Sequence, residues 1–352
     1  MRAVVFHGRE DVRFEEVAPP SAPPPGSVLL DVTMASICGT DAAEFAHGPL
    51  LIPLHAPHGG SGRGGPTVLG HEFTGRVAGV GAGVEDLAPG ARVVCGAGVS
   101  CGHCAWCRAG RTNLCERYYT LGLHADGGLA DQVVVPAAIC VGVPEACSDQ
   151  SAALAQPLAV AFHAAGRARI AAGETVAIVG VGGIGGFVVA SARARGAALV
   201  LAVDVDAARL AVAESLGADA SVDGGTDAVE AIRTATGGTG VDVAVEASGT
   251  AAGLAIAIAA VRRGGRLLLV GLHEHARPVD LFDLTIREIE VLTTLAHVCA
   301  RDLPDAVALL AEGTLAARVV DRVIDLADVV EDGLVPLAER RAHGKILVAV
   351  SS

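Results

Sequence analysis

The stretch ETVAIVGVGGIGGFVVASARARGAALVLAVDVDAARL, residues 174–210, constrains the fold of this chain more than any other. It reads as an apolar strand, VAIV, a glycine turn, a helical run and a second apolar strand ending at Asp204. Gly180, Gly182 and Gly185 form G-x-G-x-x-G directly after the first strand. Glycine at these places permits a tight turn, close backbone approach to a pyrophosphate and close packing of helix on strand, with the helix N-terminus facing the phosphates. Asp204 stands nineteen residues after Gly185, where a carboxylate can bind ribose hydroxyls and repel a 2′-phosphate, so the pattern favours NAD over NADP. VDVAVEAS from 241, a helical AAGLAIAIAAVRR and GRLLLVGL from 265 continue the alternation expected of a Rossmann doubly wound parallel sheet. The uncharged run 175–192 has the length of a membrane span, but its regular glycines and flanking strand signals assign it to this sheet.

At 352 residues the chain exceeds one ordinary hydrophobic core and is expected to form two domains. Its 51% hydrophobic content, 45 glycines and 3% aromatics suit an α/β protein rich in small apolar side chains, although a single lysine, Lys345, points to genomic base composition as a further influence. The start, MRAVVFHGREDVRFEE, becomes charged within ten residues and shows no secretory signal, which makes the cytoplasm the expected location. A net charge of -13 argues against nucleic acid or an anionic membrane surface as partner.

Four thiols, Cys101, Cys104, Cys107 and Cys115, follow C-x2-C-x2-C-x7-C, with Gly102 and Gly110 to turn the chain. A reducing cytoplasm disfavours disulfides, and nine cysteines cannot all pair with one another. Four sulfurs in a tetrahedron about 2.3 Å from one ion would make a closed, structural zinc site. Iron–sulfur or thioredoxin-like redox chemistry could use similar spacing, but no proline follows the last cysteine and no βαβ pattern surrounds it.

Upstream, Cys38 lies between a strand-like SVLLDVTMASI and a polar turn; taken alone it reads as a core cysteine. His71 and Glu72 follow a strand-like PTVLG and precede an alternating Gly/Val run typical of a twisted antiparallel barrel. Taken alone that pair reads as a surface turn.

With the four-cysteine loop, a Cys-Gly-Thr-Asp turn, a Gly-His-Glu turn and a dinucleotide fold all present, the chain resembles the zinc-dependent medium-chain alcohol dehydrogenases over nearly its whole length. Gly70, His71, Glu72, Gly75 and Gly81, spaced G-H-E-x2-G-x5-G, match that family's zinc signature, and ICGTDAAEFAHGP with a long insert before GHEFTG looks most like its polyol and (R,R)-2,3-butanediol dehydrogenase branch. The resemblance implies a GroES-like twisted β-barrel catalytic domain over 1–152 and 294–352, and an NAD-binding Rossmann domain over 153–293, with chemistry in the cleft between them. It implies two zinc ions per chain, a catalytic one on Cys38, His71 and Glu72 and a structural one on Cys101, Cys104, Cys107 and Cys115. Cofactor contacts are expected from Gly180, Gly182, Gly183, Ile184, Gly185, Asp204, Arg209, Ser248 and Gly271. The partners implied are a small-molecule alcohol or ketone and further copies of the chain, as a dimer or tetramer.

Two departures stand out. ALAQPLAVAFHA from 153 resembles the branch's Glu-Pro-Leu-Ala-Val segment, but Gln156 replaces the glutamate, a neutral amide being a weaker zinc ligand than a carboxylate. Ala43 stands where the branch has a proton-relay histidine; His47 is close in sequence. Thr40 matches the hydroxyl that takes the proton from the alcohol. The implied activity is NAD-dependent interconversion of a secondary alcohol, a vicinal diol or polyol, with its ketone. The alternatives are a cyclic, terpenoid or specialised-pathway secondary alcohol, or a catalytically eroded nucleotide-binding protein. The insert LLIPLHAPHGGSGRGGP, 50–66, reads as a mobile surface loop or a lid over the substrate, with His55 and His58 solvated.

Overall fold

In the computed structural model, which describes residues 1–225, 227–273 and 275–351, the glycine-turn segment lies at the centre of a six-stranded parallel sheet. Across the sheet the strands run Ala220–Asp223, Leu199–Asp204, Thr175–Val179, Val241–Glu246, Val261–Leu269 and Glu290–Thr293. Numbered along the chain this is 3-2-1-4-5-6, the order of a doubly wound dinucleotide fold. Ala177, Ile178, Leu201, Val203, Ala244 and Val245 on its central strands are wholly buried or nearly so, as expected where helices cover both faces. This sheet belongs to a unit Val160–Ala296. One boundary differs from the sequence pattern: the helix over AAGLAIAIAAVRR stops at Ala260, and Val261 begins the strand. Val241 pairs with Val261, and Arg262 Nε donates to Asp242 Oδ1 at 2.7 Å, which draws that segment alongside the sheet.

The second unit comprises Met1–Ala159 and His297–Ser352. Its largest sheet has seven strands, organised by Ser27–Ser36, which pairs antiparallel with Glu72–Val80, Gln132–Pro136 and Lys345–Ala349. The register sets Ser36 opposite both Glu72 and Leu347, so three remote segments meet at one end of this strand. Phe6, Leu30, Ile37, Leu69, Phe73 and Leu129 form part of the core beneath. Cys-Gly-Thr-Asp is not a turn but the start of a helix, Gly39–His47. The Cys38 N–H donates to Asp41 Oδ2 at 2.9 Å, which satisfies an otherwise unpaired amide and sets a negative charge at the helix N-terminus.

The 50–66 insert makes several polar contacts with the rest of its unit. The buried Glu44 carboxylate accepts the amides of Leu50 and Leu51 at 2.9 and 2.5 Å, and Ile52 is buried. Further on, Ser61 Oγ donates to the His124 carbonyl at 2.6 Å and Arg63 pairs with Asp126. His55 is exposed as read, but His58 stacks on His124 with ring centroids 4.3 Å apart. Among the described residues no helix is long and apolar enough to cross a membrane.

Candidate metal and cofactor sites

Cys38 caps the Gly39–His47 helix, and His71 and Glu72 lie where the Glu72–Val80 strand begins, so strand pairing brings them together. One donor atom from each of the three lies within 4.8 Å of the others. His71 Nδ1 faces Asp41 Oδ1 at 3.4 Å, in the manner of carboxylates that orient metal-binding imidazoles and leave Nε2 for the ion. Burial alone would push the His71 imidazole down, yet the neighbouring Asp41 and Cys38 outweigh it and hold the value well above the usual histidine range. An imidazole, a thiol and a carboxylate brought this close together are a donor set chemically suited to a divalent ion of zinc's type.

Three partners of this site escaped sequence reasoning. Ser36 Oγ and Lys345 Nζ both donate to Glu72 Oε2, and Lys345 Nζ also reaches the Ile37 carbonyl at 3.1 Å. Lys345 is buried, and the attraction of Glu72 overcomes the effect of burial to keep its pKa above the ordinary lysine value. Buried charges persist when paired in this way. Asp41 is the third, wholly buried between Cys38 and His71. Being the chain's only lysine was the one signal Lys345 carried, and composition explained it equally well.

Thr40 is half-buried, with its Oγ1 3.7 Å from Cys38 Sγ. His47 is exposed at the other end of the same helix, and seven residues at 1.5 Å rise separate the two by about 10 Å along the axis. Gln156 is 9% exposed in the first turn of the helix Ala155–Arg167.

The four-thiol loop is a second cluster. The sulfurs of Cys101, Cys104, Cys107 and Cys115 lie within 4.8 Å of one another, with Cys104 and Cys101 at 3.5 and 4.0 Å from Cys107. Four sulfurs around one zinc would be about 3.8 Å apart. Backbone amides already favour thiolate here: the Cys107 and Glu116 amides lower Cys104 to about 6, while burial raises Cys115 to about 11.

In the other unit Gly180 has φ of +88°, and a Cβ there would come within 2.6 Å of the Ser248 amide nitrogen. At Gly185 a Cβ would sit 1.8 Å from the Gly180 carbonyl oxygen. Gly182 caps the helix Gly183–Ala194, and Ile184 is half-buried in its first turn. The buried Asp204 carboxylate accepts the amides of Val181 and Asp206 at 2.9 and 3.1 Å, tying the turn to the next strand. Arg209 stands at the turn's mouth, its Nη1 4.0 Å from a Cβ placed at Gly182. Glu246, also missed from sequence, is wholly buried and accepts the amides of Ser248 and Gly249 at 2.8 and 2.9 Å. A Cβ at Gly271 would lie 2.7 Å from its Oε2.

A dinucleotide turn, a mixed Cys-His-Glu cluster and a four-thiolate loop in one chain define a zinc-binding oxidoreductase that works with a nicotinamide cofactor. Comparison with known proteins agrees. Residues 24–145 match the alcohol dehydrogenase GroES-like domain family and residues 183–312 the zinc-binding dehydrogenase family. The chain is 35% identical over 352 residues to (R,R)-butanediol dehydrogenase of Bacillus subtilis (strain 168), covering 99% of each chain. It is 34% identical to sorbitol dehydrogenase of the same organism, over 89% of this chain and 86% of that one. The crystal structure of 2R,3R-butanediol dehydrogenase from Bacillus subtilis superposes with a TM-score of 0.92 at 33% identity, covering 99% of both chains. The protein belongs to the zinc-dependent alcohol dehydrogenase family, with a GroES-like and a Rossmann domain, and is a dehydrogenase.

Proposed function

We propose that the protein interconverts a secondary alcohol, a vicinal diol or polyol, with its ketone, using NAD and two zinc ions per chain. The observation that carries this is the convergence of Cys38, His71 and Glu72 beside Asp41 and Lys345. The diol and polyol preference rests on the named activities of the two Bacillus relatives.

Zinc held by Cys38, His71 and Glu72 would supply a Lewis acid for an alcohol or carbonyl oxygen, and nicotinamide a hydride acceptor. Asp41 holds the His71 ring in place, and Ser36 with Lys345 holds the Glu72 carboxylate. Thr40 is the nearby hydroxyl able to accept the alcohol's proton and pass it on. His47, at the far end of the helix, serves at most as the last acceptor before solvent. Gln156 contributes an uncharged amide that can orient a substrate oxygen. The second zinc is assigned to the four thiols as a structural ion.

NAD is favoured by the Asp204 carboxylate, which retains unused lone pairs after accepting two amides; Arg209 beside Gly182 is the feature that would favour NADP. A homo-oligomer is supported by the exposed edge strand Glu290–Thr293 and by Leu281 and Phe282 of the preceding helix Leu281–Ile286, which are 71% and 73% exposed. The cytoplasm is the proposed location.

The test follows NADH absorbance with zinc-loaded enzyme and vicinal diols, sugar alcohols, cyclic secondary alcohols and primary alcohols, with NAD and NADP compared and metal content measured. Turnover of diols or polyols with NAD and two zincs per chain is expected. Turnover confined to cyclic alcohols would move the substrate class, and one zinc without turnover would indicate an eroded site.

A further inference from the structure

Five of the nine cysteines lie in the two metal-type clusters; of the remaining four, Cys95, Cys140 and Cys299 share one region of the barrel core. Cys95 and Cys140 are direct register partners on the antiparallel strands Arg92–Cys95 and Cys140–Gly142. The Gly96 amide donates to the Ile139 carbonyl at 2.9 Å, and the Val143 amide to the Arg92 carbonyl at 2.9 Å. Hydrogen-bonded pairs recur at every second position of an antiparallel ladder. The bonded positions are therefore 96 with 139, 94 with 141 and 92 with 143, which leaves 95 with 140 at a non-hydrogen-bonded position. There the Cα atoms approach to about 4.5 Å and both side chains stand on one face. A disulfide spans Cα separations of about 4.4–6.8 Å. Cys95 is wholly buried and Cys140 half-buried; burial first, and the neighbouring Cys140 thiol with it, hold the Cys95 thiol well above its usual range.

We propose that Cys95 and Cys140 form a redox-sensitive dithiol that a peroxide closes to a cross-strand disulfide. The more accessible Cys140 thiol gives up its proton as its sulfur attacks one peroxide oxygen; the O–O bond breaks, leaving a sulfenic acid on Cys140, and the departing hydroxide takes that proton as the first water. The Cys95 sulfur then attacks the Cys140 sulfur, the S–O bond breaks, and the departing hydroxide takes the Cys95 proton as the second water. Two thiols are oxidised and one peroxide is reduced. Cys299 is the competing partner, with its Sγ directed to the Gly98 carbonyl at 3.7 Å and lying 3.5 Å from His297 Nε2. Strand register selects Cys140 over it. The bond would span residues 96–139 and so enclose the four-thiol loop without using its cysteines.

The test treats the full-length, zinc-loaded protein with hydrogen peroxide, blocks free thiols with iodoacetamide and maps unreduced peptides by mass spectrometry. A single linked pair containing Cys95 and Cys140, lighter by two hydrogens and reversed by dithiothreitol, is expected. Cys95→Ala and Cys140→Ala should each abolish it and Cys299→Ala should leave it intact; if the fully buried Cys95→Ala fails to fold, the half-buried Cys140→Ala still decides. A Cys95–Cys299 link, links confined to residues 101–115, or Cys140 carried on to sulfinic acid without a link would each overturn the proposal.

Discussion

The four-thiol loop and the Cys38–His71–Glu72 site lie in the same structural unit but are built in opposite ways. The loop takes four identical donors from fifteen consecutive residues, and its short helix Ala105–Arg108 buries no side chain. Backbone amides lean toward its sulfurs, with Cys101 and Arg117 donating to Cys115 Sγ at 3.2 and 3.3 Å, but little apolar surface holds it. The other site takes three different donors from two remote segments, and adds Ser36, Asp41 and Lys345 in buried positions. Its shape comes from strand register and paired charge. A loop of the first kind needs an ion to have a shape at all, whereas a site of the second kind has its shape first and can spend the ion on chemistry.

The strongest test of that division is Cys38→Ser. Zinc content should fall from two per chain to one while the fold survives, and kcat/KM should drop by about 10³-fold or more, since a Lewis acid is worth several kcal/mol at roughly 1.4 kcal/mol per tenfold. Undiminished turnover with one zinc would end the assignment of a catalytic ion here. Lys345→Met comes next. In chelator-treated protein it leaves the Glu72 charge buried without its cation, a change that costs about 3–5 kcal/mol, read from urea denaturation. With zinc restored the cost should shrink, because the ion supplies positive charge beside the same carboxylate. Equal losses with and without zinc would mean that ion and lysine do not share Glu72.

What could be read in advance follows the same division. The thiol loop and the G-x-G-x-x-G turn are local: spacing alone carries them, and the turn appears with the strand order its motif requires. Cys38, His71 and Glu72 were legible only as parts of a family signature, since each alone has a bland reading. Lys345, Ser36 and Glu246 were not legible, because their roles depend on which strands pair and in what register. The helix Gly39–His47 was mistaken for a turn, as Cys-Gly-Thr-Asp is polar and glycine-bearing; the Asp41 cap that stabilises it is a contact, not a propensity. The insert was read as a mobile surface loop or a lid because its composition is loop-like, while the contacts that hold it come from Glu44, His124 and Asp126 outside it.

A smaller effect on catalysis is expected from the thiol loop. Cys104→Ser should remove the other zinc, make the loop protease-sensitive and lower the urea midpoint, while kcat/KM per folded molecule stays within about threefold of the parent, below 1 kcal/mol. Loss of turnover as large as in Cys38→Ser, in protein that remains folded, would break the contrast between the two clusters.

The smallest effect comes from a polar cluster that is neither of these. His58 Nδ1 accepts the amides of Gly60 and Ser61 at 3.2 and 3.3 Å, and His124 Nδ1 accepts the Thr120 amide at 3.0 Å. With Nδ1 as an acceptor, the neutral His124 ring carries its proton on Nε2, and charging it requires a second proton where the Thr120 N–H already points. Burial, and then the nearby His58, lower His124 to about 4. An unfolded histidine titrates near about 6.5. Between those values the unfolded chain binds a proton that the folded chain does not. The contribution to stability is therefore complete above about pH 6.5 and is lost progressively as pH falls toward 4. His124→Asn, whose side-chain oxygen can still accept the Thr120 amide, should flatten the urea midpoint across this window and leave zinc content unchanged. If the parent and the variant lose stability in parallel, the acid sensitivity arises elsewhere in the fold.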